Sequence, residues 1–502
     1  MIEVLASAFA LPVINYTAIL PELIVLGGML IMLGLVAVIP KDFATTTYAG
    51  LTMGVGTASL VASLVLWHDV TKGGPFQAIS QIVNVDGFSV FLMVLVSSIL
   101  IVAPMLAAGY LENEGIRGAE YFILALVSGA GAMLMGAAND LILVFLALEV
   151  LSIPLYVIAA LNLRRAVSGE AAMKYFLLGS FSSAIFVYGI ALTYGATGST
   201  NLGSISGFLS RNVISSPGTL YAGVALMAVG FAFKIAAVPF HMWSPDVYEG
   251  APDGVVGFMA AIAKVGGFAA LLRVFLGALP TLQSVWSPAI WILAVLSLVV
   301  GAVVALAQRN LKRMLAYSSI NHAGFILLGL VAVSSRGLAS SLYYLFAYSF
   351  VVLGSFAVIA VIARENHGDS EIDSIRNLGR RSPVLGTIFA IFLLAQAGAP
   401  FTTGFLAKFY VVSAAVDAHS FAIAIIAMLS AAVAAVFYLR VILVMFSGGD
   451  SPAAIGTPVA EPIVVSRWVW SGLVICVIAT VVFGVWPSPL IDFARAASLI
   501  FH

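Results

Sequence analysis

The chain has 502 residues, of which 62% are apolar and 9% charged, and its formal net charge is zero. Soluble domains are roughly half apolar and a quarter charged, so a mean hydropathy of +1.12 excludes water as the main solvent and points to an all-α polytopic membrane protein. One cysteine, Cys476, excludes a thiolate iron–sulfur cluster or a Cys-rich zinc site within this chain, and the lack of a basic, aromatic-rich stretch argues against nucleic acid as a partner.

A helix needs about 20 apolar residues to cross a bilayer. Fourteen windows meet that length, near 18–39, 45–67, 85–109, 121–138, 140–163, 171–195, 219–240, 255–279, 288–307, 311–333, 338–363, 383–411, 419–446 and 467–487. The segment before Pro21 lacks the basic region of a secretory signal and reads as a short lead into the first span. Only Ala138-Asn139-Asp140 separates the fourth and fifth spans, which predicts a tight helical hairpin. The run 446–466, with its Pro, Gly and polar residues, predicts a surface connection or docking segment before the last span.

Basic loops stay on the cytoplasmic side of a membrane. Odd-numbered loops hold Lys41, Arg117, Arg164, Arg165, Arg309, Lys312, Arg313, Arg364, Arg376, Arg380 and Arg381, whereas even-numbered loops hold Lys72, Arg211 and Arg336. Both termini are therefore expected on the periplasmic side.

Charges well inside the predicted spans are Glu149, Lys234, Lys264, Arg273 and Lys408. Each costs roughly 2.5–3.5 kcal/mol at mid-membrane, so it persists where it faces protein or water, usually where it works. Glu149, in LVFLALEVLSIPLY, has about two apolar turns on either side, too far from an interface for its side chain to snorkel. Lys234 precedes Pro239 in KIAAVPFHMW, and Lys408 follows Pro400 in APFTTGFLAKFY. A proline frees a carbonyl and bends or breaks its helix, and broken helices at membrane depth line protein or water cavities. The interrupted spans are the seventh and twelfth. An offset of five reverses direction, as in an inverted repeat pairing spans 4–8 with spans 9–13, although the lysine precedes its proline in one copy and follows it in the other.

Burial disfavours an ammonium ion and a nearby carboxylate favours it, so lysine suits proton transfer. Glu149 and Lys234 are the natural pair. Lys264, in AAIAKVGGF on the next span, can relay if hydroxyls bridge the gaps. His322, in LAYSSINHAGF, lies in the span matched to that of Glu149, and with an unperturbed pKa near 6.5 imidazole can relay protons. The competing reading of all five is structural: ion pairs, or for His322 beside Asn321 an interhelical hydrogen bond. Arg273 is close enough to a span end to snorkel, and Lys312 and Arg313 read as topological anchors. His241, Asp246 and Glu249 are loop-fixing groups or an entry funnel. The glycines read as close helix packing, since no nucleotide-binding glycine fingerprint follows a strand.

LEVLSIPLYVIAAL, KIAAVPFHMWSPDVYEGAP, AAIAKVGGF, NLKRMLAYSSINHAGF and APFTTGFLAKFYV resemble the antiporter-like membrane subunits shared by respiratory complex I, Mrp-type cation/proton antiporters and membrane-bound hydrogenases. The resemblance covers roughly residues 120–445. Within the family, SGEAAMKYFLLGSFSSAIFVYGIALTYGATGSTNL is most similar to the subunit N branch of NADH–quinone oxidoreductases. Lysine at 408, where the M branch carries glutamate, agrees with that, as does an expected end at His502 without the long lateral helix of the L branch.

The resemblance implies about fourteen transmembrane helices with two inverted five-helix repeats and two discontinuous helices. Residues 1–119 would hold the first three spans, 120–280 and 281–446 the repeats, and 447–502 a loop and the last span. It implies a place in the bacterial inner membrane beside homologous antiporter-like subunits, no cofactor in this chain, and FMN and iron–sulfur clusters in partner subunits. Glu149, Lys234, Lys264 and Lys408 match the family's proton route, which couples electron transfer from NADH to quinone to proton pumping. Asp253-Gly254 departs from the family, in which a second proline commonly follows Pro252 by two residues. The rival functions are a Mrp-type sodium/proton antiporter subunit and a purely structural membrane subunit. A solute transporter is disfavoured because three lysines on three spans suit a relay better than one pocket.

Overall fold

The computed structural model describes residues 14–38, 43–116, 118–162, 164–214, 216–365, 369–447 and 463–497. Lys41, Arg117, both chain termini and most of the 446–466 connection lie outside the described residues. Among the described residues, thirteen helices are long and apolar enough to cross a membrane. The twelfth span completes the expected fourteen as two half-helices, Pro383–Ala397 and Thr403–Asp417.

The other spans follow the sequence windows closely. They are Tyr16–Val38, Thr45–Gly73, Gly87–Asn113, Glu120–Ala137, Leu141–Ala159, Ala166–Thr197, Pro217–Lys234, Asp253–Ala278, Pro280–Ala307, Leu311–Val331, Ser335–Glu365, Phe421–Phe446 and Arg467–Val485. Their ends are marked by chemistry that supplies the orphan backbone donors of a helix start. Asp86 and Ser89 form a reciprocal capping box, Asp140 accepts from the Ile142 amide at 2.8 Å, and Asn310 accepts from the Arg313 amide at 3.1 Å. Prolines open the helices at 217 and 383, where no amide is needed.

Two helices break. The seventh span stops at Lys234, turns through the cis Val238–Pro239 peptide and resumes as Trp243–Gly250. The twelfth is interrupted between Gly398 and Thr402, with Gly398 and Phe401 at positive φ. Both breaks sit at the prolines that the sequence singled out. A short hairpin, Phe76–Ala78 with Val83–Val85, and an amphipathic helix, Leu202–Arg211, are additions that hydropathy windows do not register.

The third, eighth, tenth and eleventh spans are buried along most of their length and form the inner row. The second, sixth and thirteenth spans keep apolar side chains such as Val65, Phe181 and Leu443 exposed, as suits contact with lipid. Between helices in lipid the attraction is mainly close packing, which favours small residues. A Cβ on Gly131 would stand 2.5 Å from the Leu151 amide nitrogen, and one on Gly301 2.6 Å from that of Asn321.

The loops sort onto two faces. On one, the Asn139 amide bonds the Ile82 carbonyl and the Leu202 amide bonds Asn139, joining loops 2, 4 and 6. On the other, the Leu311 amide bonds Ser370 and the Ile372 amide bonds Arg309, joining loops 9 and 11. The bridges Asp140–Asn201 and Asn310–Glu371 are spaced alike: each residue of the second stands 170 positions after its counterpart (310 against 140, 371 against 201). The Gly131–Leu151 and Gly301–Asn321 contacts have the same offset.

Arg273 does not snorkel, contrary to the expectation from its position near a span end. It is 1% exposed, its Nη1 and Nη2 donate to the Asp86 carboxylate at 2.5 and 2.8 Å, and its Nε donates to the Gly136 carbonyl at 2.9 Å. It lies over the Phe88 ring and begins a π-helical turn, Arg273–Ala278. One guanidinium thus ties the third, fourth and eighth spans together. Removing one partner of such a buried pair costs about 3–5 kcal/mol, so Arg273→Met is expected to lower both the yield of the folded subunit and its thermal midpoint in detergent. Unchanged values for both would mean that the pair does not hold these spans.

Candidate functional site

The fifth span carries Glu149 and, nearly one turn on, Ser152. Glu149 is half-buried and accepts a 2.5 Å hydrogen bond from Ser183 of the sixth span. The Ser152 hydroxyl donates back to the Leu148 carbonyl and accepts from Lys234 Nζ at 2.7 Å. Glu149 and Lys234 are therefore not joined directly. A cavity of about 10 Å³, on the scale of a single water, lies beside Lys234 and is lined also by Ser152, Tyr156, Ser182 and Ser183, the last of which bonds Glu149. Gly179 and Gly230, with Leu148, Phe186 and Phe233, form the rest of its wall.

Lys234 is the last helical residue before the break. Its ammonium lies 5.8 Å from the centroid of the Tyr175 ring, which stacks on Trp243. The Trp243 indole donates to the Phe233 carbonyl at 2.9 Å, one of the acceptors that the break releases. The next residue, Ile235, offers its carbonyl to Lys264 Nζ at 3.3 Å, and Lys264 also donates to the Ser319 carbonyl at 2.7 Å. Lys264 thus touches both the end of the broken seventh span and the middle of the tenth.

From Ser319 the polar groups continue. Its hydroxyl pairs with Tyr348 at 2.7 Å, and the adjacent Ser318 hydroxyl pairs with Tyr438. Tyr438 reaches His322 Nε2 at 3.3 Å and donates to Gln396 Oε1 at 3.4 Å, while Tyr344 holds His322 Nδ1 at 2.7 Å. Gln396 ends the first half of the broken twelfth span. Its carbonyl and that of Ala397 accept from Lys408 Nζ at 2.8 and 3.0 Å. Lys408 lies 5.0 Å from the Phe325 ring centroid.

The three lysines and His322 are 3–7% exposed. Lys264, through Ile235, and Lys408, through Gln396 and Ala397, each donate to carbonyl oxygen at the C-terminal end of a half-helix, the negative end of its dipole. The five residues singled out from the sequence each hydrogen-bond to groups between the fifth and twelfth spans, in separate short clusters: Glu149 with Ser183, Lys234 with Ser152, Lys264 with the Ile235 and Ser319 carbonyls, and His322, Tyr438, Gln396 and Lys408 together. The groups between them, Ser152, Ser183, Ser318, Ser319, Tyr348, Tyr438 and Gln396, were not anticipated. The signal was present in Gln396 within LLAQAGAPF and in Tyr344 and Tyr348 one turn apart, but a hydroxyl in a span is too common to single out alone.

Other charges are placed differently from the expectation. Lys312 is no exposed anchor: it is 2% exposed and pairs with Asp253 at 2.5 Å. Arg313 pairs with Asp246 and Glu249 at 2.9 and 2.7 Å, and Lys174 with Asp246 at 2.9 Å, which fits the loop-fixing role. His241 packs edge-on against Tyr317. Glu22 in the first span is a further intramembrane acid, 2% exposed, and its carboxylate has no side-chain partner among the described residues.

Residues 138–434 match the family model described as NADH:quinone oxidoreductase/Mrp antiporter, transmembrane. NADH-quinone oxidoreductase subunit N of Rhodococcus opacus is 39% identical over 548 aligned positions, covering 99% of each chain. Its counterpart in Mycobacterium tuberculosis is 47% identical over 398 positions, 78% of this chain and 73% of the relative. A chain of respiratory complex I from Thermus thermophilus superposes with a TM-score of 0.79 at 31% identity, covering 95% of this chain and all of that one. The chain therefore belongs to the NADH-quinone oxidoreductase subunit N family, a branch of the antiporter-like membrane proteins.

Proposed function

We propose that Glu149, Lys234, Lys264, His322 and Lys408 are the stations of a proton route through this subunit, driven by electron transfer from NADH to quinone in partner subunits. The observation that carries the reading is that buried, hydrogen-bonded titratable groups are spaced from the fifth span to the twelfth, with Lys234 and Lys408 at the two helix breaks. An ionised Glu149 stabilises the Lys234 ammonium and a protonated one does not, so a change at Glu149 loads or unloads Lys234. Lys264 passes the charge to the tenth span, and Ser318, Tyr438 and His322 bridge to Lys408.

Two inverted repeats, residues 120–280 and 281–446, frame this route, with 1–119 and 447–502 outside them. The common offset of 170 residues at the helix hairpins supports that division. The partners are homologous antiporter-like subunits of the assembly, and FMN and iron–sulfur clusters belong to other chains. The bias of basic residues to the odd loops puts both termini on the periplasmic side of a bacterial inner membrane.

The test is NADH-driven proton uptake in proteoliposomes containing the whole assembled complex. Lys234→Ala and Glu149→Ala, each with assembly verified, are expected to cut proton pumping and coupled electron transfer by roughly tenfold, a barrier change of about 1.4 kcal/mol. Normal pumping at the parental stoichiometry would make these two charges structural. His322→Gln keeps hydrogen bonding and loses the titrating ring. Loss of pumping in that variant supports a relay, and retention assigns His322 to packing. Sodium-dependent transport without NADH would instead favour antiport. For orientation, a membrane-impermeant thiol reagent on intact cells should label Ser210→Cys and not Arg309→Cys. Both positions are exposed and Cys476 is buried, and the opposite labelling would invert the topology.

A further inference from the structure

The departure at Asp253-Gly254 has a structural counterpart. Asp253 opens the helix that carries Lys264, and it is buried, 3% exposed, where four parts of the fold converge. Its Oδ1 pairs with Lys312 Nζ at 2.5 Å, and its Oδ2 faces Arg165 Nη1 at 3.9 Å. Tyr110 of the third span presses on the next residue so closely that a Cβ at Gly254 would stand 2.6 Å from the Tyr110 Cβ. A proline there would collide with Tyr110. Glycine and aspartate together allow close packing against the third span and an ionic link to the tenth.

Lys312 stands at the start of the tenth span, the helix that presents the Ser319 carbonyl to Lys264. Eleven residues separate Asp253 from Lys264, close to three turns, and seven separate Lys312 from Ser319, close to two. Each pair therefore lies on one face of its helix. Both helices begin on the odd-loop face and run in the same direction. The extra four residues on the eighth span amount to about 6 Å of rise. Lysine covers that distance by reaching back along the helix, the direction in which helical side chains tilt.

We infer that Asp253 is a positioning residue for Lys264: its ion pair with Lys312 sets the register of the eighth span against the tenth and thereby keeps the Lys264 ammonium on the Ser319 carbonyl. This rests on the proposed role of Lys264. A buried pair of this kind fixes register by making the displaced arrangement costly, since a slip by one turn would separate two charges buried away from water. The effect on function is geometric, because Asp253 does not touch the relay itself.

The experiment compares protons moved per NADH oxidised in the assembled complex for the parent, Asp253→Asn, Asp253→Glu, the exchange Asp253→Lys with Lys312→Asp, and Lys264→Ala. Assembled Asp253→Asn is expected to lose roughly tenfold in this ratio, within the hundredfold that an ångström of misplacement can produce, while the exchange recovers most of it and Asp253→Glu part of it. A parental ratio in Asp253→Asn, with the ratio lost in Lys264→Ala, overturns the positioning role and leaves the route intact. A parental ratio in Lys264→Ala overturns the route and this inference with it. Where Asp253→Asn does not assemble, the exchange decides: assembly with pumping restored supports the inference, and assembly with the ratio still low overturns it.

Discussion

In hydrocarbon, neither a backbone carbonyl freed by a helix break nor an ammonium ion can turn to bulk water, and the structure satisfies both with one contact. Lys264 donates to Ile235 at the end of the first half of the seventh span, and Lys408 donates to Gln396 and Ala397 at the corresponding end in the twelfth. Hydrogen bonds from a charged donor are roughly twice as strong as neutral ones, so each lysine stabilises the break that stabilises it. Taking a proton from either lysine weakens that mutual support. This is the physical link by which, along the proposed route, a proton transfer acts on helix geometry and helix geometry acts on proton transfer.

The remaining charges divide by task. Arg273 with Asp86, and Lys312 with Asp253, are buried ion pairs whose partners belong to different spans, and they join helices at the two faces of the protein. Lys234 and Lys264 have hydroxyl or carbonyl acceptors in place of a carboxylate, and Glu149 has a serine donor in place of a cation. A neutral acceptor leaves an ammonium free to give up its proton without separating an ion pair, whereas a directly paired carboxylate would hold it. Glu149 and Lys234 bond different serines, Ser183 and Ser152, and do not touch each other directly.

Much of this was legible in the sequence because bilayer physics is severe. Apolar runs of spanning length, Pro239 and Pro400 inside two of them, and charges remote from either interface have few explanations in hydrocarbon. They located the spans, the breaks and the five candidate residues. Arg273 and Lys312 were misread for the complementary reason. Near a span end, distance along the sequence does not reveal whether a long side chain reaches water or turns inward, and their partners Asp86 and Asp253 are 187 and 59 residues away.

By itself, then, the amino-acid sequence determined the number of spans, the sites of interruption and which residues carry unusual charge, since each follows from the cost of exposing a polar group to lipid within one helix. Only the tertiary structure decided what each charge touches. It placed Ser152 and Ser183 between Glu149 and Lys234, gave Lys264 a carbonyl from each of two helices, and threaded Tyr438 and Gln396 between His322 and Lys408. Those contacts depend on the rotation and register of packed helices, and many rotations bury similar apolar area. The choice among them rests on polar partners and close glycine contacts far apart in the chain, which local sequence does not encode.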